Sequence, residues 1–133
     1  MPRRLPRSFN CPAEFTLAMI GGKWRTAILC YLSRHPMRYS ELRRLLPQLS
    51  DKVLSERLRE LEFNGLVTRN IRLEPSSVTV YGLSERGQSL QIMLNEARRW
   101  GAEHANIYGV RCDLRSLAVV RDAAPDQPLV IDA

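Results

Sequence analysis

The residues of this sequence that could do chemistry form one dense group and several isolated ones. The dense group spans Arg38 to Ser77 and comprises Arg38, Arg43, Arg44, Ser50, Asp51, Lys52, Ser55, Glu56, Arg59, Arg69, Arg72, Ser76 and Ser77. A guanidinium fork matches phosphate and the guanine edge in bidentate fashion, and hydroxyl and carboxylate groups hydrogen-bond base edges. That chemistry is recognition of nucleic acid rather than the making of bonds. The isolated candidates fail their own tests. Gly22-Lys23 resembles a phosphate loop only faintly, because Leu17 stands where the motif needs glycine and Trp24 where it needs Ser or Thr. His35 and His104 lie far apart, with no nucleophile or metal-ligand spacing beside them. Neither a Ser/His/Asp arrangement nor a carboxylate pair can be read. No enzyme activity, cofactor or metal is expected.

The elements that must position the basic group follow from periodicity and punctuation. Pro12 suits the first turn of a helix running to Ile20 and stopped by Gly21-Gly22. A second helix begins near Lys23, with Trp24, Ile28 and Tyr31 as its apolar stripe, and ends before His35-Pro36; Leu29 and Cys30 fall outside the stripe. Met37 to Tyr39 is an extended bridge. Ser40 is placed to cap a short helix from Glu41 to Leu46, ended by Pro47, and Ser50 to cap the next, which starts at Asp51. Leu54, Leu58 and Leu61 give that helix a core stripe, and Asn64-Gly65 stops it. Two amphipathic helices joined by the four residues Pro47 to Ser50 make a helix-turn-helix. The period then changes: Leu66 to Leu73 and Val78 to Leu83 flank Glu74-Pro75-Ser76-Ser77 as a β-hairpin. Ser84 caps a long helix reaching about Tyr108.

That order predicts a mainly α fold with a small hairpin, a winged helix-turn-helix closed by a long C-terminal dimerisation helix. Lys52, Glu56 and Arg59 lie opposite the leucine stripe with Ser55 on the flank, so Lys52, Ser55 and Arg59 are the expected base readers, Arg59 lying further from the groove. Arg43, Arg44, Arg69 and Arg72 are placed to neutralise phosphates. The charge agrees. Residues 1–70 carry 13 basic and 6 acidic side chains against 7 and 8 in residues 71–133, for a total of +6, and 18 of the 20 basic residues are Arg. A polyanion partner is therefore expected for the front half. The 133 residues fit one domain with a basic arm over 1–10, a winged helix over 11–105, and a partly disordered C-terminal extension over 106–133. No apolar run approaches the ~20 residues needed to span a bilayer, and no apolar stretch follows the basic start as a secretory signal requires. No membrane association and a cytoplasmic location are the expectation. Cys11, Cys30 and Cys112, odd in number and without a CxxC pair, are neither a disulfide framework nor a zinc site.

Several runs carry a family resemblance: Cys11-Pro12, Ile20-Gly21-Gly22-Lys23-Trp24, Arg38-Tyr39-Ser40-Glu41-Leu42-Arg43, Ser50-Asp51-Lys52-Val53-Leu54, Leu58-Arg59-Glu60-Leu61-Glu62, Gly65-Leu66-Val67, Tyr81-Gly82-Leu83-Ser84 and Gly87. In that order and spacing the chain closely resembles the HxlR-type bacterial transcription regulators, relatives of the MarR group, over roughly residues 11 to 105. The resemblance implies a homodimeric winged helix acting on double-stranded, pseudo-palindromic promoter DNA, more often as a repressor. Gly82 departs from the pattern, where a residue with a side chain is more usual, and so does the longer tail beyond Asn106.

Two further expectations rest on this reading. The apolar positions Leu90, Met93, Leu94, Ala97, Trp100 and Gly101 form a stripe that pairs two subunits, unless it packs within one. Cys11 is either a small packed side chain, the commoner state of a free cysteine, or, at a helix start near Arg7, a thiol that senses oxidants or electrophiles; the resemblance adds weight to the second without deciding it, since some family members look to sense oxidants or quinones at this position. The signal is then an electrophile or another small-molecule effector. Two alternatives remain for the whole chain, a winged helix docking protein partners and a non-specific architectural DNA binder.

Overall fold

A computed structural model describes residues 4–72 and 77–112. Along the chain lie α1 (Pro12–Ile20), α2 (Arg25–Leu32), β1 (Met37–Arg38), α3 (Tyr39–Leu45), α4 (Asp51–Phe63), β2 (Val67–Arg72), β3 (Val78–Leu83), α5 (Glu85–Gln88) and α6 (Gln91–His104), followed by a 3-10 turn (Ala105–Tyr108). The winged helix-turn-helix is present, mainly α with a small antiparallel sheet. The sheet has three strands, in the order β1-β3-β2, rather than the hairpin alone. The bridge expected at Met37 is its third strand, with Met37 opposite Tyr81 and Arg38 opposite Val80.

α2 is the centre of the molecule. Ile28, Leu29, Cys30, Tyr31 and Leu32 are all buried, so Leu29 and Cys30, off the predicted stripe, face protein too. Leu54, Leu58 and Leu61 of α4 pack on it, and Leu42, Leu46 and Leu49 fill the angle of the helix-turn-helix. α2 starts two residues later than predicted. Trp24 adopts a left-handed backbone, φ 77°, which no helix interior accommodates.

α3 also departs from expectation, because Ser40 does not cap it. Strand β1 delivers Arg38 in extended conformation, so the helix begins at Tyr39, and Glu41 Oε1 accepts the Arg38 N–H at 3.0 Å. Ser50 does cap α4, accepting the Val53 N–H at 3.1 Å, and Gly65 at φ 76° closes it. Ser84 caps α5 through the Gly87 N–H at 3.0 Å and donates to the Gly65 carbonyl at 2.6 Å.

The single long helix from Ser84 to Tyr108 is instead divided by a tight turn at Ser89-Leu90. There the Leu90 N–H reaches back three residues to the Gly87 carbonyl, and the Ser89 hydroxyl donates to the Arg86 carbonyl at 2.5 Å. A serine side chain competing for helix carbonyls after a glycine explains the break. The break also divides the predicted dimer stripe. Leu94 is 1% exposed inside its own protomer, and Leu90 and Met93 pack against the same core. Gln91 Nε2 donates to the Ser33 carbonyl at 3.2 Å, anchoring this end of α6 to α2. Leu94 is therefore a core residue, not part of an open seam. Ala97 and Trp100 face outward and Gly101 is half-buried. No helix among the described residues is long and apolar enough to cross a membrane. Residues 113–133, most of the predicted extension, lie outside the described residues, as does Ser76.

Candidate nucleic-acid interface

α4 carries the face expected to read bases. With the leucine stripe turned inward, Lys52 and Arg59 are exposed, and Ser55 and Glu56 half-buried. Arg44 is exposed on α3, and Arg72 at the far end of β2, paired with Val78. Lys52, Arg44, Arg59 and Arg72 form no ion pair among the described residues, so their charge is available to an anion. Arg38 and Ser77 are exposed as well. Every residue of β2 after Val67 is exposed, on both of its faces, the mark of a projecting wing.

Two predicted phosphate binders are engaged within the protein. Arg43 Nε donates to Asp51 Oδ1 at 2.9 Å, while Arg43 Nη1 lies 3.4 Å from the Leu46 carbonyl. Arg69 Nε stands 3.7 Å from Glu62 Oε1, across the turn from α4 into the wing. Tyr39, which sequence reasoning passed over, ties the first pair into a node. Its hydroxyl stands 3.0 Å from Asp51 Oδ1, 3.1 Å from the Asp51 carbonyl and 3.3 Å from Ser55 Oγ. Asp51 and Ser55 are thus held from behind by α3. The Tyr39 hydroxyl, and then the Arg43 guanidinium, keep the Asp51 carboxyl below its usual range. Behind the reading face, Glu60 of α4 pairs with Arg57 and, at 3.5 Å, with Arg25 of α2. Apart from the Arg57–Glu60 pair, which has the i,i+3 spacing of a helix, these partners stand at sequence distances no local period predicts. On the wing, burial pushes the Tyr81 phenol up, with the Arg69 guanidinium pulling the other way.

The thiols differ sharply in access. Cys11 is exposed at the N-cap of α1, where its carbonyl accepts the Glu14 N–H at 3.0 Å and its side chain caps nothing. Cys112 is also exposed. Cys30 is buried, and burial pushes its thiol up against the opposing pull of the Arg98 guanidinium.

This geometry, a capped helix with a basic outer face flanked by an arginine-bearing wing, coincides with a sequence match. The sequence model described as HxlR-like helix-turn-helix fits residues 19–108, more than half of the chain. The chain belongs to this family. Among curated relatives, the HTH-type transcriptional regulator YtcD of Bacillus subtilis (strain 168), itself described as uncharacterized, is 39% identical over 117 residues, which cover 87% of this chain and 93% of YtcD. Two solved structures share both fold and sequence. The redox regulator HypR in its reduced form superposes with a TM-score of 0.69 at 32% identity, covering 74% of this chain and 97% of that one. Diamide-treated YodB from B. subtilis superposes with a TM-score of 0.61 at 33% identity, covering 72% and 96%. In this HxlR-like fold, α4 is the second helix of the helix-turn-helix and β2 with β3 form the wing.

Proposed function

We propose that this HxlR-like chain is a dimeric, sequence-specific regulator of transcription, a repressor that an oxidant or electrophile releases from its promoter. The reading is carried by the outward face of α4. Lys52 and Arg59 form no ion pair there among the described residues, while Ser50 caps the helix and Asp51 and Ser55 are braced by Tyr39. A braced helix end loses little freedom when it enters a groove, and its leading N–H groups favour phosphate. Lys52, Ser55 and Arg59 read bases; Arg44 and Arg72 hold the backbone. Arg43 and Asp51 position α4 for them.

The signal is proposed on two grounds. One structural relative is titled a redox regulator, and another was solved after diamide treatment. In this chain Cys11 is exposed at the start of α1, where a modification would bear on the helix that packs against α2. Because both reading heads of a dimer must fit two half-sites at once, a small rotation between them is felt strongly in affinity.

Electrophoretic mobility with the DNA upstream of the chain's own gene, against random competitor, tests the function. Specific retardation is expected, and if Arg44 and Arg72 of both subunits engage phosphate, log K falls with log salt at a slope of roughly −4. Equal affinity for random DNA would favour the architectural alternative, and no retardation the protein-docking one. Diamide should weaken binding of the wild type and leave Cys11→Ser unaffected; an equal response of both removes Cys11 from the mechanism.

A further inference from the structure

A cavity of about 260 Å³ opens between α1, the root of the wing and the α5–α6 turn. None of the residues that line it belongs to the outward face of α4 or to a wing strand. Its walls are apolar, formed by Phe15, Met19, Leu66 and Leu90. Phe15 is held in an edge-to-face contact with Phe9, ring centroids 5.7 Å apart, yet it remains 44% exposed. The polar side chains of the lining divide by what they can still donate. The Thr16 hydroxyl gives its proton to the Pro12 carbonyl at 3.1 Å, and the Ser89 hydroxyl to the Arg86 carbonyl at 2.5 Å. The Arg86 guanidinium forms no ion pair among the described residues, and it lies over Gly65, within 3.0 Å of where a Cβ there would stand.

An apolar chamber with one unpaired cation, and no other uncommitted side-chain proton, selects its guest by chemistry. A neutral polar molecule would lose hydrogen bonds on entering, and a cation would meet Arg86. A compact apolar body carrying a single carboxylate satisfies both surfaces. We propose that this cavity binds a small organic carboxylate of roughly six to ten heavy atoms, with Arg86 holding its carboxylate and the body lying among Phe15, Met19 and Leu90.

The cavity's position gives occupancy a route to the rest of the protein. Leu66 links α4 to the wing, its N–H donating to the Leu61 carbonyl at 2.9 Å and its carbonyl accepting the Ser84 N–H at 3.0 Å. Leu90 sits in the turn where α6 departs. A guest wedged between these two residues bears on the root of the reading helix and on that of α6. Any effect on promoter affinity rests on the function proposed above; binding of the guest does not.

The test therefore uses the full-length protein without DNA. Nitrogen-15-labelled protein is titrated with benzoate and hexanoate, and with benzamide and hexanamide as neutral counterparts, while amide resonances are followed. Saturable shifts centred on Thr16, Leu66, Ser89 and Leu90 are expected for the acids, with a dissociation constant on the order of 1 mM or tighter, the range such small ligands reach. Loss of the charge, in the amides or in Arg86→Gln, should weaken binding about tenfold or more, and Ser89→Trp should block the cavity. Both substituted side chains are exposed, and the same spectrum reports whether each variant is folded. Were a variant to unfold, the comparison of acid with amide on the wild type still decides. Absence of saturable shifts, shifts centred elsewhere, or equal binding of acids and amides overturns the proposal.

Discussion

Asp51 shows how the chemistry of one residue is set by its neighbours. By sequence it opens the reading helix and could accept from a base; in the fold its carboxylate receives the Tyr39 hydroxyl and the Arg43 guanidinium. Both favour the charged form, so the carboxyl is held below its ordinary 3.8. A carboxyl lowered in the folded state contributes stability that is complete above that ordinary value and is lost as pH falls through the folded one. Asp51→Asn should therefore flatten the acid limb of the stability curve below about pH 4 and lower stability at pH 7 by that same amount, small because the site is exposed, a change read by urea melts at stepped pH. Lys52 and Arg72 test the two kinds of DNA contact proposed for this face. Lys52→Ala should cost about 1–3 kcal/mol at the base it reads and change which base is tolerated there. Arg72→Ala should weaken every operator variant alike. Identical preference profiles for the two variants would make Lys52 a phosphate contact.

Glycines at two element boundaries illustrate what packing between elements demands. At Gly87, where α5 passes over the start of the wing, a Cβ would stand 2.2 Å from the Leu66 carbonyl oxygen. That backbone oxygen already accepts from Ser84 and cannot withdraw cheaply. Gly87→Ala should destabilise the protein by about 2–3 kcal/mol through overpacking. Gly82, the residue that departs from the family pattern, is the opposite case. Its added Cβ would meet Pro36 at 3.5 Å and Thr68 at 3.9 Å, ordinary contact distances. Nothing in β3 requires a glycine there, so Gly82→Ala should raise stability by about 0.4–1 kcal/mol by restricting the unfolded chain. Guanidinium denaturation of the two variants beside wild type checks both signs.

At the scale of the whole molecule, the question is what covers the apolar surface α6 leaves outside. Leu90, Met93 and Leu94 are spent within the protomer, but Trp100 is 58% exposed, Ile107 73% and Tyr108 71%. Trp100 is also stiffened by stacking on His104, ring centroids 4.4 Å apart. Rigid aromatic surface of this extent on a 15.3 kDa chain is the kind that subunits bury against each other. Light scattering should therefore give twice that mass at micromolar concentration, and Trp100→Glu should shift the species toward the monomer without unfolding it. A wild-type mass of one chain would leave the outer part of the stripe without a partner and remove the two-fold operator from the function proposed.

Much of this architecture was legible in the chain because its signals are local. The leucine period of α4, the serine caps at Ser50 and Ser84, the stop at Gly65 and the change of period into the wing each depend on residues a few positions apart, which any conformation of the segment brings together. The helix-turn-helix, the outward placement of Lys52 and Arg59, and the family itself follow from these. The remaining features depended on distance. Strand β1 exists because Met37 meets Tyr81, and α3 starts at Tyr39 because that strand delivers Arg38 extended. Arg43 and Arg69 read as free cations until the fold set Asp51 and Glu62 beside them. The stripe of α6 looked continuous until docking on α2 took Leu94 into the core. An apolar or charged side chain carries its chemistry in the sequence, but burial and pairing are properties of whatever comes to lie across from it. Only the packed structure decides that.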